Sequence, residues 1–566
     1  MKNKLQVVQF SFIFLLFTTS ITANTVFVDS QETFDAAHDQ SSANDTIIWT
    51  DGTYADIFMD IVKNSLTIIS ETPGGTVFNG ASRAEIDGDN IHFSGFQYVG
   101  GNIGTSDVVN IRGSNITFTQ VNIRAYTCYK YLRVREESQY VDITYCNFEN
   151  RLNTADQNIL SILVDDNQPG YHKIRYCSFK NFPGGGNDEG VEPIRIGVST
   201  QADFISRTLV EYCYFSQCDG DGELISSKAT QNVYRFNTFE DNTKAELVLR
   251  HGSEIIVYGN FFLRGKGGVR VREGQDHYIY NNYFFDLDDR AIFLQNEASD
   301  PLDNINIAFN TIIDCDDVRL GGDGDDNPPA NVTFANNIFA DPKDDLFRNA
   351  TGNETWIGNI TSGSLGISRP SSGLLGVALQ LEENADGFFG LGASSPAINA
   401  ALPGFAALPQ FPGMDPIDSE VLFDLMNQPR PAEVEDKDVG ASEFPHNVTI
   451  GPIATEENTG PDYETSFLST LRNDRLVVTD VLRVFPNPAD ERITVTIAAG
   501  AGTDITVDLL DISGQKLRTI SRSLEATATT TFNQSLDSLP SGMYALRATG
   551  RNSETAWIQT VRFVKR

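Results

Sequence analysis

One short pattern recurs along the middle of the chain and decides the fold. It is written ITYCNF at 143–148, IRYCSF at 174–179 and VEYCYF at 210–215, and it continues as YRFNTF, VYGNFF, IYNNYF and IAFNTI. Each copy has a β-branched or aromatic run, then Cys or Asn, then a variable residue and an apolar one. The Cys or Asn positions are Cys146, Cys177, Cys213, Asn237, Asn260, Asn282, Asn310 and Asn337.

The spacing of these copies predicts a solenoid. Successive positions lie 22 to 36 residues apart, and Ser94 in IHFSGF and Thr119 in ITFTQV extend the series backwards. Repeats of this length with Gly- and Asn-rich turns are typical of parallel β-helix coils. We therefore predict an all-β, right-handed parallel β-helix, with Asn side chains bonded from coil to coil and Cys side chains buried rather than disulfide-bonded. An antiparallel β-sandwich with coincidental spacing is the alternative.

The charge balance limits the partners. The chain has 566 residues, with 42 Lys and Arg against 76 Asp and Glu, which gives a net charge of −34. Such a field repels nucleic acids, because phosphate neutralisation needs a basic face. A polyanionic partner must therefore meet a local basic site. The 40% of hydrophobic residues excludes a largely disordered chain.

The two ends differ from the repeats. Lys2 and Lys4 precede a short apolar run and small residues, which predicts a secretory signal peptide at 1–23. No other apolar run is long enough to span a bilayer, so we expect no transmembrane anchor. We predict a β-helix with closing loops at 24–446, a polar linker at 447–478 and a small β-sandwich at 479–566.

The last segment carries a family resemblance. VFPNPADERITV at 484–495, VDLLDISGQKL at 507–517, LPSGMYAL at 539–546 and VRFVKR at 561–566 occur in this order. Together they resemble the C-terminal sorting domain that the type IX secretion machinery of Bacteroidota recognises. The resemblance implies that this machinery is a partner and that the protein is secreted or held at the cell surface. A carbohydrate-binding module is the alternative.

The large domain carries a second resemblance. Its motifs are NDEGVEPIRIG at 187–197, GELISSKA at 222–229, LVLRHG at 247–252 and GGVRVREGQDHYIYNNYF at 267–284, preceded by VFVDSQETFDAA and TIIWTDGTY. Together they resemble polysaccharide lyase family six, which includes alginate lyases and chondroitinase B. The resemblance implies calcium-assisted β-elimination of a uronic-acid polysaccharide, with alginate as the first choice. The family's SNKS reads SSKA here, and Asp221 stands where the family often has Glu; these departures leave the Lys in place and bear on substrate preference rather than on activity.

Residue spacing independently indicates a cation site. Asp221 and Glu223 are two apart, so on a strand they project to the same side. Asn187 lies 36 residues before Glu223, the same step as from Cys177 to Cys213, which predicts that it lies beside Glu223. Oxygen ligands of this type suit Ca²⁺, and the family implies the same ion. Glu189 or Glu192 is an alternative third ligand, and a solvated acidic turn is the alternative to a site.

A lysine and an arginine lie about one coil apart. Lys228 and Arg250 differ by 22 residues, which predicts that they are neighbours on one face. The resemblance implies that Lys228 is the Brønsted base and Arg250 the acid. A guanidinium hardly releases its proton, so Arg250 could instead stabilise charge while a water delivers the proton. The alternatives are a solvated surface lysine and a structural pair between Arg250 and Glu246.

Further cations on these coils are candidates for substrate contact. Polyuronate binding needs side chains that pair with carboxylates, and we assign this role to Arg195, Arg270, His251 and His277. For each His, a structural role is an equal alternative.

Other functions fit the same fold. A chondroitinase B-like enzyme acting on dermatan sulfate and a pectate lyase would share the β-helix, whereas a hydrolase would need paired carboxylates without the Lys and Arg pair. A non-catalytic polysaccharide-binding surface protein would also fit the export signals. The ultraviolet absorbance of a new C4–C5 double bond separates a lyase from the others.

Overall fold

The computed structural model describes most of the chain. The described residues are 23–153, 157–183, 190–295, 302–322, 328–384, 387–417, 422–445, 453–463, 482–485, 492–499, 504–510, 516–525, 528–536, 539–540, 542–551 and 556–565. Apart from its last residue, the predicted signal peptide lies outside them.

Three parallel sheets, named here A, B and C, wind into a solenoid of about 13 turns, which confirms the predicted parallel β-helix. Each coil contributes one short strand to each sheet, so every strand pairs with the equivalent strands of the coils before and after it.

Sheet A has 14 strands. They are β1 (Thr25–Val28), β2 (Thr46–Trp49), β5 (Thr67–Ser70), β8 (His92–Ser94), β11 (Ile116–Thr119), β14 (Val141–Thr144), β17 (Lys173–Arg175), β20 (Leu209–Glu211), β23 (Val233–Arg235), β26 (Ile256–Tyr258), β29 (Gln275–Tyr280), β32 (Asp303–Ala308), β35 (Ala330–Ala335) and β38 (Glu354–Ile357).

Sheet B also has 14 strands. They are β3 (Gly52–Ala55), β6 (Thr76–Asn79), β9 (Phe96–Val99), β12 (Asn122–Arg124), β15 (Asn147–Glu149), β18 (Ser178–Phe182), β21 (Tyr214–Cys218), β24 (Thr238–Glu240), β27 (Phe261–Leu263), β30 (Tyr283–Phe285), β33 (Thr311–Ile313), β36 (Ile338–Ala340), β39 (Asn359–Thr361) and β40 (Leu374–Gly376).

Sheet C, whose outer face carries the candidate site, has 12 strands. They are β4 (Phe58–Ile61), β7 (Arg83–Ile86), β10 (Val109–Ile111), β13 (Leu132–Val134), β16 (Leu160–Ile162), β19 (Ile194–Ile196), β22 (Glu223–Ser227), β25 (Glu246–Leu249), β28 (Val269–Val271), β31 (Arg290–Leu294), β34 (Asp317–Arg319) and β37 (Phe347–Arg348).

A helix packs at the amino-terminal end of the solenoid. The helix α1 (Gln31–Gln40) begins at Ser30, whose hydroxyl accepts a hydrogen bond from the backbone N–H of Thr33. Its buried Phe34 stacks on Trp49 with 5.7 Å between ring centroids. The first coils thus gain an apolar cover at the end where no earlier coil precedes them.

The turn between sheets A and B contains the predicted ladder. Asn260 is fully buried, and its Oδ1 accepts hydrogen bonds from the backbone N–H and from Nδ2 of Asn237, both at 3.0 Å. Its own Nδ2 donates to Asn282 Oδ1 at 2.9 Å. The same pattern continues through Asn310 and Asn337 and reaches Asn359. The predicted coil-to-coil bonding is confirmed.

The Cys side of the prediction also holds, with one correction. All six cysteines are free and buried. The Asn ladder ends at Cys213, whose backbone N–H donates to Asn237 Oδ1. The backward extension to Ser94 and Thr119 is wrong by two residues. Thr119 pairs with Thr144, and the position of Cys146 in the preceding coil is held by Val121. The hydroxyl positions belong to sheet A rather than to the turn.

Residues after the last coils cover the outside of the solenoid. The short antiparallel pair β41 (Leu381–Glu383) and β42 (Phe389–Leu391) belongs to this part, as does the short 3-10 helix η2 (Val434–Asp436). A second short 3-10 helix, η1 (Ser199–Gln201), follows β19 within the solenoid. A second apolar cluster joins late coils to this cover, for example Phe309 to Leu408 and Val439. The domain bounds of 24–446 with closing loops stay a prediction.

The predicted linker at 447–478 needs a correction in its described part. Residues 453–463, here called the return segment, pack back onto early coils. Gly460 donates its backbone N–H to Tyr176 O at 2.8 Å, and Asp462 exchanges two hydrogen bonds with the Gln120 side chain, at 2.8 and 2.9 Å. The Tyr463 hydroxyl donates to backbone carbonyls of Phe96 and Gln120 at 3.3 Å. The sequence of this segment has little periodicity, but the segment is nevertheless held in place, because it forms hydrogen bonds with turns of the early coils.

The carboxyl-terminal strands form two antiparallel sheets. One contains β43 (Leu482–Phe485), β44 (Arg492–Ala499) and β47 (Ala528–Ser535), and the other contains β45 (Asp504–Leu510), β46 (Lys516–Glu525), β48 (Gly542–Arg551) and β49 (Ala556–Lys565). They share an apolar cluster that includes Val495, Val507 and Leu546, as predicted for a small β-sandwich.

Candidate active site

The strand ends of sheet C bring four equivalent positions of successive coils into one row. Ser227 pairs with Leu249 and Leu249 pairs with Val271, so Lys228, Arg250 and Arg272 follow at equivalent positions on three successive coils. Ile196 pairs with Ser227, which places Gly197 at the same position one coil earlier. A Cβ at Gly197, whose φ is +76°, would lie 3.0 Å from Lys228 O, so glycine allows the close approach. The structure thus brings the predicted pair together.

Lys228 lies in a half-buried, cationic environment. Burial lowers the pKa of its ammonium below the ordinary value, Arg195 and Arg250 lower it further, and Glu223 acts in the opposite sense. Among the described residues, Nζ makes no hydrogen bond or ion pair. A lysine with a lowered pKa and an uncommitted amine can act as a base.

Arg250 is held by an acidic residue of the preceding coil. Its guanidinium donates to Glu223 Oε1, and about a third of the Arg250 side chain remains exposed while Glu223 is buried. Arg250 therefore pairs with Glu223, and the structural alternative with Glu246 does not apply, because Glu246 pairs with Arg290 at 2.9 Å. One side of the guanidinium is fixed and the rest faces outward.

Three acidic side chains are concentrated beside this pair. Asp221 is 7% exposed, and its two oxygens accept backbone N–H bonds from Gly190 at 2.7 Å and Glu223 at 3.0 Å. Glu192 is buried, and burial raises its pKa to about 7, with Asp221 and Glu223 adding to the rise and Arg195 opposing it. Three carboxylates this close need positive charge nearby.

The sheet register corrects the spacing argument for the third metal ligand. Ile194 pairs with Ile225, a step of 31 residues rather than 36, because the connection from sheet B to sheet C is longer after β18 than after β21 in the next coil. This register places Glu192 opposite Glu223. Asn187 and Glu189 lie outside the described residues, so their prediction stays a prediction.

The acidic side chains fit an oxygen-ligated cation. Glu223 Oε2 is buried and has no hydrogen-bond partner among the described residues, which is an unusual state for a carboxylate oxygen. All donors here are oxygens, which Ca²⁺ prefers. Within the described part of the chain, no three His, Cys, Asp or Glu side chains converge as a complete metal site would. Glu223 and Asp221 would therefore form only part of the coordination shell.

The four predicted substrate contacts separate into two groups. Arg195 makes a bidentate pair with Glu192 at 2.6 Å and is 22% exposed. Arg270 is half-buried and donates to Gln295 Oε1 at 2.6 Å. His251 contacts Glu273 at 2.6 Å and Ser199 at 3.1 Å. These three remain on the outward side of sheet C or its edge.

His277 does not belong with them. It is fully buried, its Nδ1 accepts from the backbone N–H of Ile255 at 3.3 Å, and its Nε2 donates to Glu273 O at 3.0 Å. Burial lowers its pKa to about 4. We correct the prediction: His277 is neutral and structural, and it is not available to a polysaccharide.

Sequence reasoning missed a longer row of cations. Arg133, Arg195 and Arg270 occupy equivalent outward positions of sheet C, and Arg319 follows further along. Guanidinium groups of Arg270, Arg290 and Arg319 surround the Phe293 ring at 5.8, 4.6 and 5.6 Å from its centroid. The available signal was the recurring Arg between two apolar residues, LRV at 132–134, IRI at 194–196 and VRV at 269–271.

A second missed cluster lies on an earlier coil. Lys130 is buried, donates to Gln157 at 3.1 Å and to Asn158, and lies 4.8 Å from the Tyr129 ring centroid. Burial lowers its pKa to about 7. Nothing in the local sequence distinguished it from a solvated lysine.

The fold and this row define the class: parallel β-helix proteins with a row of cationic side chains along the outer face of one sheet, in an otherwise acidic chain. The Chondroitinase B family model matches residues 28–316, just over half of the sequence, and the chain belongs to that family. The Secretion system C-terminal sorting domain model matches residues 483–561. The search of curated proteins found no match.

Several solved structures share the fold. The PL6 family alginate lyase AlyGC has a TM-score of 0.60 and 23% identity, over 65% of this chain and 55% of its own length. A mannuronic acid specific polysaccharide family 6 lyase from human gut microbiota has a TM-score of 0.55 and 24% identity, over 62% of this chain and 91% of its own. A PL6 polysaccharide lyase from Pseudopedobacter saltans has a TM-score of 0.52 and 19% identity, over 63% and 96%. This chain thus spans just over half of AlyGC.

No helix among the described residues has the length and apolar character needed to cross a bilayer.

Proposed function

We propose that this protein is an exported lyase that cleaves a uronic-acid polysaccharide, with alginate as the substrate, by β-elimination. The observation that carries the proposal is the placement of Lys228 and Arg250 at equivalent positions of adjacent coils, with Arg250 paired to the buried Glu223. A polyanion needs a local basic site in a chain of net charge −34, and the outward arginines of sheet C supply it.

The difficulty of the reaction is the charge that develops at C5. That carbon lies next to a carboxylate, which must lose negative charge before the C5 proton can leave. Arg195 and Arg270 lie on the outer face of sheet C and can pair with carboxylates of the bound polysaccharide. Arg195 and Arg270 lie on opposite sides of the coil that carries Lys228, so together they would orient successive sugars of the chain past Lys228.

Lys228 is the group we assign to C5 proton removal. Its lowered pKa increases the fraction of free amine near neutral pH, and no described side chain competes for Nζ. Arg250, fixed by Glu223, is suited to stabilise the departing O4 while a water supplies its proton, because a guanidinium hardly gives one up. This arrangement favours a lyase over a hydrolase.

Ca²⁺ is the proposed cofactor. Asp221 and Glu223 would hold it, with Asn187, Glu189 or Glu192 completing the shell, and when bound it would supply positive charge next to the substrate carboxylate. The unpartnered buried oxygen of Glu223 supports this assignment.

Alginate is favoured over other uronates because several similar structures are alginate lyases and one is mannuronic acid specific. The family model's name supports dermatan sulfate as a second candidate. Export is supported by the match to a secretion sorting domain and by the predicted signal peptide. We propose 479–566 as the sorting domain and secretion or surface display as the location.

One experiment separates these outcomes. The full chain is incubated with mannuronate-rich alginate, guluronate-rich alginate, dermatan sulfate and pectate, and the absorbance of the C4–C5 double bond is followed with and without a calcium chelator. We expect growth on alginate that chelation suppresses and added Ca²⁺ restores. New reducing ends without absorbance would replace the lyase with a hydrolase, and neither signal on any substrate would leave a binding protein.

A further inference from the structure

Three side chains beside the lyase site form a second chemical arrangement. Ser199 Oγ lies 3.1 Å from His251 Nε2, and His251 Nδ1 lies 2.6 Å from Glu273 Oε2. Ser199 is exposed, whereas Glu273 is only 13% and His251 18% exposed. A hydroxyl, an imidazole and a carboxylate in this order have the geometry of an activated nucleophile, which is recognised by contacts and not by sequence position.

The contacts fix the proton positions. A carboxylate only accepts hydrogen bonds, so His251 Nδ1 carries a proton and donates it to Glu273. The lone pair of a neutral ring is then at Nε2, where the Ser199 hydroxyl donates. This tautomer, assigned from the partners, is the one that a general base for a serine requires.

The fold places the three groups at the same edge of sheet C as Lys228 and Arg250. Ser199 follows β19, His251 follows β25 and Glu273 follows β28, all at the same edge of sheet C. Lys228 follows β22, which lies between β19 and β25 in the sheet. Neighbouring parallel strands are about 4.8 Å apart, so the bridge from Ser199 to His251 crosses the coil that carries Lys228.

Glu273 is itself anchored. Its backbone carbonyl accepts a hydrogen bond from the buried His277 at 3.0 Å. Gly274, with φ +96°, follows it, and a Cβ there would lie 1.9 Å from Gly252 O. The turn that presents Glu273 is therefore packed against the turn that follows His251, which holds the carboxylate and the ring at a fixed separation.

We propose that Ser199, His251 and Glu273 form an esterase site that removes O-acyl groups from the polysaccharide bound along the outer face of sheet C. The polyuronate identity of that polysaccharide rests on the proposed function. Ester-linked acyl groups on sugar hydroxyls are the substrate class that fits, because a sugar seated at Lys228 presents its hydroxyls within one coil of Ser199. Acyl groups at those positions would also obstruct the lyase.

The chemistry balances without a further reactant. Ser199 Oγ attacks the ester carbonyl as its proton moves to His251 Nε2, and collapse of the tetrahedral intermediate releases the sugar hydroxyl with that proton. Water then attacks the acyl-serine, gives a proton to His251 and releases the carboxylic acid as serine regains its own. Glu273 acts through His251 as a positioning residue, and the positive charge of Arg250 stabilises the oxyanion.

The test uses the full chain and a chemically O-acetylated alginate. Free acetate and C4–C5 absorbance are measured in parallel, and a fluorophosphonate probe is mapped by mass spectrometry. We expect acetate release, probe labelling at Ser199, and loss of both in Ser199→Ala. Thr200→Ala is the matched control, because it removes the adjacent exposed hydroxyl and should retain both signals.

The positioning residue has its own readout. Glu273→Gln should lower acetate release by about 10²-fold or more, because the amide no longer fixes the tautomer, and Glu273→Asp should recover part of the rate. Acetate release equal in wild type and Ser199→Ala, or none above background while absorbance grows, would overturn the esterase and leave the lyase standing. Acetate release without absorbance would do the reverse.

Discussion

The buried ladder between sheets A and B and the outer face of sheet C are built on the same coils but follow opposite rules. In the ladder, Asn237, Asn260 and Asn282 repeat one residue type in one hydrogen-bonding pattern. On sheet C, equivalent positions hold Gly197, Lys228, Arg250 and Arg272 in turn. Repeating one residue type stabilises the ladder. On sheet C the residue type changes from coil to coil, which gives the site its varied chemistry.

The difference has an electrostatic consequence. The ladder pairs neutral amides, whose donors and acceptors satisfy each other. The site row stacks like charges, so the pKa of Arg272 is lowered to about 10 by burial and by the neighbouring Arg250 and Arg270. Like charges held this close together cost free energy, which an anionic ligand along the row would reduce. The following variants test each half of the comparison.

The largest effect is expected at Lys228. Lys228→Ala removes the proposed base, so kcat for double-bond formation should fall by about 10²- to 10⁴-fold while the circular dichroism spectrum and unfolding midpoint remain unchanged. Lys266→Ala removes the same charge from another turn and should keep the wild-type rate. Substantial turnover by Lys228→Ala would exclude this residue as the base.

The next effect is expected in the ladder. Asn260→Ala removes the acceptor for the backbone N–H of Asn237 and the donor to Tyr234 O. Buried groups left without partners should lower the free energy of unfolding by about 3 kcal/mol, measured by urea denaturation. Cys177→Ala, at an equivalent buried position, loses mainly packing and should cost only about 1 kcal/mol. Equal costs would show that hydrogen bonding adds nothing to the ladder.

The smallest effect is expected at Arg195. Its positive charge lowers the pKa of Lys228, so Arg195→Gln should raise that pKa and move the acid limb of the kcat against pH profile to higher pH. The base is active when unprotonated, so the rate at neutral pH should fall, by less than about tenfold. Saturating substrate removes any change in binding from the measurement. A limb that moves to lower pH would contradict the assigned electrostatics.

The sequence was sufficient to predict the coil repeat, but not to predict which residues pair across neighbouring coils in sheet C. The Asn and Cys positions are interior and periodic, and the coil step between sheets A and B could be counted directly from them. Sheet C follows loops of variable length, so the step of 36 residues taken from Cys177 and Cys213 did not apply to Glu223, whose partner position is Glu192. Lys228 and Arg250 were placed correctly because no insertion separates their coils.

The remaining errors have other physical causes. His277 has no local feature that separates a buried histidine from an exposed one, and its burial depends on turns from neighbouring coils. The contact between Ser199 and His251 spans 52 residues, which no pattern of short period reveals. The return segment binds through Gln120 and Tyr176, residues that lie hundreds of positions earlier.

The return segment determines how the solenoid bears mechanical load. It is the last described stretch before the sorting domain in the sequence, and it is fastened at Gly460, Asp462 and Tyr463 to the coils of Tyr176, Gln120 and Phe96. If the tail is attached to a surface, tension enters the molecule through these early coils in shear. The coils of Lys228 and Arg250 come later in the solenoid than these attachment points, so they lie outside the stretch of coils that the return segment fastens.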